Sequence, residues 1–283
     1  MLQEFTLGSD MTVRRMGFGA MRVTGPGVWG PPKDKDAALK LLRRVVDLGI
    51  NLIDTADAYG PNVSEELICE ALYPYADDLV IATKGGLTRT GPGQWPSDGS
   101  PKHLRAALEG SLKRLKLERI DLYQLHVVAD NTPLEDSLGE LKRLQEEGKI
   151  RHIGVSNQSV EQLERSMAIV DVVSVQNRYN LTTRKYEDVL DWCEQKGIGF
   201  LPWYPLAAAS LVERKEFQAL ASKYDATSAQ ICLAWLLQRS PVMLPIPGTS
   251  SIAHLEENTA ARDLQLSDED FSTLEQVAAT IAE

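Results

Sequence analysis

With 283 residues, 43% of them apolar and 25% charged, the chain has the make-up of an ordinary globular protein and can bury a large core. Its formal net charge of -10, without any dense lysine or arginine run, argues against a nucleic-acid partner, because phosphate backbones demand a basic face. No apolar run reaches the ~18 residues of a membrane span, and Met1 is followed by Gln3, Glu4 and Phe5 rather than a basic and then apolar leader, so a cytoplasmic protein without membrane association is expected.

The opening stretch alternates as Glu4–Leu7, turns at Gly8-Ser9-Asp10 and alternates again at Thr12–Arg14, the pattern of a β-hairpin. Met16–Met21 reads as a first buried strand. It is followed by a Gly- and Pro-rich loop, Arg22 to Asp34, that carries Trp29 and suits a ligand-facing wall.

From Asp36 onward an amphipathic helix, a short link and an apolar strand recur. Helices are expected over Asp36–Leu48, Ser64–Leu72, Pro101–Leu117, Pro133–Glu147, Ser159–Ala168 and Arg184–Lys196, then Glu213–Lys223 and Ser228–Gln238. The strands are Asn51–Asp54, Leu79–Lys84, Ile120–His126, Ile150–Ser156, Val172–Asn177, Gly199–Trp203 and Val242–Pro247. With Met16–Met21 these make eight, which favours a closed (β/α)8 TIM barrel, a fold of ~250 residues, as a single domain over residues 1–283. The N-terminal β-hairpin and an extra C-terminal helix, Ser267–Ala279, lie outside the repeat.

Catalytic groups of such barrels collect at the carboxyl ends of the strands, and there this chain interrupts its apolar runs with polar or aromatic residues. Leu52-Ile53 ends in Asp54, with Tyr59 five residues on; the next strand ends in Lys84. A buried carboxylate needs a positive partner. Lys84 meets that need, and its charge is expected to lower the pKa of Tyr59 and fit it for general-acid work. His126, at the end of the fourth strand, is placed to polarise a carbonyl oxygen. Ser156, Asn157 and Gln176 offer the donors and acceptors a carboxamide requires, and Trp203 a flat face for a planar ring. Gly248, Thr249 and Ser250 precede a helix over Ile252–Ala261 and suit a phosphate. For Asp54, Ser156, Asn157 and this last loop, plain helix capping is the competing reading. Cys69, Cys193 and Cys232 have no paired spacing, and the four histidines form no metal motif, so no metal is expected.

Taken in order, Asp54-Thr55-Ala56-x-x-Tyr59-Gly60, Lys84, His126, Gly154-Val155-Ser156-Asn157, Gln176 and Pro247–Ser251 with Glu256-Glu257-Asn258 resemble the aldo-keto reductase superfamily along essentially the whole chain. The resemblance implies NAD(P)H-dependent reduction of an aldehyde or ketone to an alcohol. Tyr59 would be the proton donor, Asp54 and Lys84 its tuning pair, and His126 the carbonyl orienter. Ser156, Asn157, Gln176, Trp203, Leu206, Gly248, Thr249, Ser250, His254, Glu257 and Asn258 would hold the cofactor. Many relatives carry a lysine directly after the last strand's Ile-Pro and an arginine six residues later. Here those places are Gly248 and His254, so the implied cofactor is NADPH with NADH as the alternative. The loops Gly19–Arg22, Gly25–Pro32 and Glu70–Tyr75 are similar to a bacterial subgroup that includes pyridoxal reductases. Met21, Trp29 and Trp95 would then surround an aromatic aldehyde such as pyridoxal.

Two rival readings remain at the level of sequence. One is a cofactor-binding regulatory barrel without catalysis; the other is a hydrolase or lyase using Lys84 as a Schiff-base nucleophile. A monomer is expected, since no stretch forms an exposed apolar seam.

Overall fold

The computed structural model describes residues 3–206 and 214–280. Two strands, β1 (Glu4–Leu7) and β2 (Met11–Arg14), pair antiparallel as a hairpin. Seven more form one parallel sheet in chain order: β3 (Phe18–Gly19), β4 (Leu52–Asp54), β5 (Val80–Gly85), β6 (Ile120–Leu125), β7 (Ile150–Ser156), β8 (Val172–Gln176) and β9 (Gly199–Phe200).

The eighth expected strand, Val242–Pro247, is present as a closing segment rather than a regular strand. Phe200 N–H donates to Val242 O and Leu244 N–H to Phe200 O, both at 2.8 Å, while Gly17 and Gly19 donate to Pro245 O and Pro247 O at 2.9 and 3.4 Å. The reason for the irregularity is chemical: Pro245 and Pro247 have no N–H to give to a ladder. The ring therefore closes as a (β/α)8 barrel. The first strand is shorter than expected, because Ala20–Val23 coils into a 3-10 turn, and β9 stops before Leu201.

Helices among the described residues are α1 (Lys35–Asp47), α2 (Val63–Leu72), α3 (Pro101–Leu115), α4 (Leu134–Glu146), α5 (Val160–Met167), α6 (Glu187–Lys196), α7 (Lys215–Lys223), α8 (Ser228–Arg239), α9 (Ile252–Ala260) and α10 (Asp268–Ala279). Their starts follow capping chemistry. Asp34 accepts from Ala37 N–H at 2.9 Å, and Ser159 with Gln162 and Thr227 with Gln230 form reciprocal capping boxes. Helix α6 begins three residues later than Arg184, and Glu213, expected to open α7, lies outside the described residues. Helix α10 packs on the barrel exterior, with Asp270 on Lys223 at 2.7 Å and Phe271 stacked on Trp235.

Strand alternation divides the core in two. Ile53, Ile81, Tyr123, Leu125, Ile153 and Val155 point outward to the helices, whereas Leu52, Val80, Ala82, Leu122, Leu201, Leu244 and Ile246 fill the barrel. Leu7, Met11 and Val13 of the hairpin pack into that inner cluster and stopper one end. The same period of two sets the site: two residues beyond Leu52, Ala82 and Leu122 come Asp54, Lys84 and Gln124, buried on the barrel's inner face. Below the hairpin a cavity of about 190 Å³, lined by Gln3, Glu4, Arg14, Arg15, Met16, Leu237 and Arg262, includes none of the site residues. No described helix is long and apolar enough to cross a membrane.

Candidate active site

Asp54 and Lys84 meet inside the barrel as a buried ion pair. Lys84 Nζ lies 2.6 Å from Asp54 Oδ2 and donates also to Thr55 O at 2.8 Å and to Tyr59 Oη at 3.4 Å. All three side chains are less than one-tenth exposed. Such a pair persists only when its remaining lone pairs are satisfied, and two residues supply what is missing. Gln124 and Gln176 donate their side-chain N–H groups to Asp54 Oδ1 at 3.0 and 2.8 Å, and Gln176 also bonds Gln124 Oε1 at 3.2 Å.

Gln124 did not emerge from the sequence, although it interrupts the apolar run of β6 as plainly as Lys84 interrupts β5. Its place depends on Gly154, its neighbour on β7: a Cβ there would come within 3.0 Å of Gln124 Cγ and 2.3 Å of Ser174 Oγ.

The expectation for Tyr59 needs correction. Burial pushes the phenol pKa up, and Lys84 only partly opposes that rise, so the net shift is upward from 10. Burial also works against the Lys84 charge, but Asp54 and Tyr59 outweigh it and hold the ammonium above its usual range. Tyr59 is therefore a neutral phenol beside a fixed cation, a proton source that keeps its proton at neutral pH. His126 is driven well below the usual imidazole range by burial and then by Lys84, and is neutral. Its ring meets Tyr59 edge-on with centroids 5.9 Å apart, and its Nδ1 is buried without a partner among the described residues.

The residues expected to grip a carboxamide lie together but are already bonded to one another. Ser156 Oγ donates to Gln176 O at 2.7 Å; Asn157 Nδ2 donates to Ser156 Oγ and His126 O; Trp203 Nε1 donates to Asn157 Oδ1 at 3.0 Å. Both N–H groups of Gln176 are engaged, so its Oε1, to which no described residue donates, is the free acceptor of the set. Trp203 is 36% exposed, leaving ring surface available.

At the last strand's end Gly248 and Gly19 approach closely, since a Cβ on either would lie 2.7 Å from a backbone oxygen of the facing segment. Thr249 Oγ1 accepts from Ser251 N–H, and Ser251 caps α9. Ser250 and His254 are exposed there, and Leu206 is half-buried. Asn258 is buried, and no described residue bonds its side-chain amide. Glu257 is instead tied to Thr227, whose hydroxyl donates to it at 2.5 Å.

Around the mouth, Trp95 stands edge-on to Tyr59 at 6.3 Å, Trp29 is bridged to Gly60, and Met21 is 36% exposed on the 3-10 turn. The three cysteines are buried free thiols, and no cluster able to hold a metal occurs among the described residues.

The barrel gathers Asp54, Tyr59, Lys84 and His126 at the carboxyl ends of its strands, and the chain belongs to the aldo/keto reductase family, whose model matches residues 15–279. It is 42% identical to pyridoxine 4-dehydrogenase of Escherichia coli, over 97% of this chain and 98% of that one. An uncharacterized oxidoreductase of Schizosaccharomyces pombe is 53% identical over 94% of this chain and 87% of its own. Among solved structures, an aldo-keto reductase from Klebsiella pneumoniae in complex with NADPH superposes with a TM-score of 0.85 at 29% identity, covering 98% of this chain and 96% of that chain.

Proposed function

We propose that the protein reduces an aldehyde to an alcohol with NADPH, and that its substrate is an aromatic aldehyde of the pyridoxal kind. The observation that carries this reading is the proton-donor geometry: a neutral Tyr59 hydroxyl 3.4 Å from Lys84 Nζ, which Asp54 holds at 2.6 Å, beside a neutral His126. The Klebsiella pneumoniae relative's NADPH complex and the pyridoxine 4-dehydrogenase likeness support the choice of cofactor and substrate.

Gln176 Oε1, Ser156 and Asn157 would hold the carboxamide, Trp203 and Leu206 the ring side, and Gly248 to Ser250, His254, Glu257 and Asn258 the phosphate and adenine end. When bound, the reduced nicotinamide supplies a hydride to the carbonyl carbon. His126 donates a hydrogen bond to the carbonyl oxygen and fixes its place. Tyr59 gives its phenolic proton to that oxygen, and the adjacent Lys84 ammonium steadies the phenolate left behind. Asp54 keeps Lys84 from swinging away, and Gln124 keeps Asp54 in place. Trp29, Trp95 and Met21 form the wall against which an aromatic ring would lie.

The experiment is nicotinamide absorbance with a panel of aldehydes that includes pyridoxal, run beside cofactor binding by tryptophan fluorescence. Tyr59→Phe is expected to bind NADPH as the wild type does and to lose at least ~100-fold in turnover, the lower range for a general acid. Near-wild-type turnover would sink the mechanism. Binding without turnover on any carbonyl would favour a regulatory barrel.

A further inference from the structure

We infer that Arg89 is the positioning residue of the substrate wall, a clamp that sets Trp29 and Trp95 against Tyr59 without itself touching substrate. This rests on the proposed reading of the site.

A guanidinium has five N–H donors in a rigid fork and cannot shed its charge. On this partly buried side chain all five end on backbone carbonyls of three separate loops. Nη1 donates to Val28 O at 2.8 Å and to Ala58 O at 2.9 Å; Nη2 donates to Gly27 O at 3.1 Å and Gly91 O at 3.4 Å; Nε donates to Gln94 O at 2.9 Å. The acceptors come from the Trp29 loop, from the residue next to Tyr59, and from the loop that carries Trp95. No carboxylate among the described residues pairs with Arg89, which separates it from an ordinary surface ion pair.

The face of the same guanidinium lies 3.6 Å from the Trp95 ring centroid and 5.5 Å from that of Trp29. Cation–π attraction therefore orients both rings. Trp95 in turn meets the edge of Tyr59, so one side chain links the aromatic wall to the proton donor.

Each loop has its own local bonds, but they do not join all three. The Trp29 loop is held to the Tyr59 loop by Gly30 N–H on Gly60 O at 2.5 Å. The Trp95 loop folds on itself through Thr88 N–H to Pro96 O at 2.7 Å and Thr90 Oγ1 to Gln94 Oε1 at 2.6 Å. Arg89 bonds across the gap between these two units. With every donor committed to carbonyls, it has none for an anionic substrate group. Its contribution is geometric, and the wall it builds is aromatic.

Lysine keeps the charge but offers three donors on a flexible stem, so it cannot replace the fork. For Arg89→Lys the KM for an aromatic aldehyde is expected to rise about tenfold. The KM for a three-carbon aldehyde, too short to span both rings, should rise far less, and the NADPH dissociation constant should stay within about twofold. Guanidinium ion added to Arg89→Ala should recover the aromatic KM in part. Equal rises for both aldehydes, or a parallel loss of NADPH binding, would show general damage and overturn the inference.

Amide hydrogen exchange provides a reading independent of turnover. In Arg89→Lys, exchange over residues 25–30 and 87–97 should quicken at least tenfold while β4–β6 keep their protection. Unchanged exchange would refute the clamp even in a protein that reduces no aldehyde. Absence of wild-type turnover would instead count against the proposed reaction and leave the exchange result to decide the clamp.

Discussion

Asp57 stands two residues before Tyr59, and its Oδ1 is buried with no partner among the described residues. Burial and then the nearby Glu65 charge push its carboxyl up to about 7, against the pull of Arg114 and Lys84. The sign follows from linkage. A folded-state pKa above the unfolded value of about 3.9 means that the native state binds the extra proton, so the contribution is complete below pH ~4 and is lost as pH rises through about 7. Asp57→Asn, which keeps the shape and never ionises, is expected to gain stability over wild type progressively between about pH 4 and pH 7 in urea melts, the gain levelling off above that. A pH-independent difference between the two would refute this. At the same scale the meeting of Asp54, Lys84 and His126 could be read in advance, because each stands at the carboxyl end of a strand. The strength of burial at Tyr59 could not, since it depends on how the surrounding loops close. Arg89 was equally hidden: its partners are backbone carbonyls, which leave no trace in the pattern of side chains.

Strand β5 shows how an element serves the site with both faces. Lys84 points into the barrel, while its neighbour Thr83 points outward and donates to Glu65 Oε1 at 2.6 Å. Glu65, on α2, is fully buried and receives Arg114 Nε of α3 on its other oxygen at 2.6 Å. Two helices are thereby pinned to the strand that carries Lys84. Removing one partner of a buried pair leaves a stranded charge, so Arg114→Met is expected to cost about 3 kcal/mol or more in urea unfolding. A cost below about 1 kcal/mol would show that Thr83 alone satisfies Glu65. Elements were the most legible scale. Leucine periodicity gave the helices, and the stops at Gly49, Gly148 and Gly197 fall where the backbone turns left-handed, at φ 75°, 78° and 68°. Where the reading slipped, prolines or local turns were responsible: Pro245 and Pro247 deprive the last segment of donors, and Ala20–Val23 coils where extension was expected.

For the whole molecule the order of strands decides where a ligand could matter most. The bonds from Gly17 and Gly19 to the closing segment all run one way, from the first strand to carbonyls of prolines. Saturating NADPH at about 100 times its dissociation constant is expected to raise the unfolding free energy by about 2.7 kcal/mol. Exchange at the Gly17 and Gly19 amides should slow with it. Stabilisation without that slowing would place the cofactor away from this join. The (β/α)8 architecture, the hairpin and the extra helix were legible in the spacing of strands and helices, whereas the one-sided closure was visible only once both edges stood side by side.

That closure has a mechanical consequence. A ring whose last joint offers acceptors but no donors of its own is held there by a clasp, and the residues expected to grip the cofactor's phosphates hang from one half of it, at Gly248, while Gly19 forms the other. A molecule spanning the two halves would brace the joint from both sides, so that the weakest seam of a closed ring is also the one a ligand would reinforce.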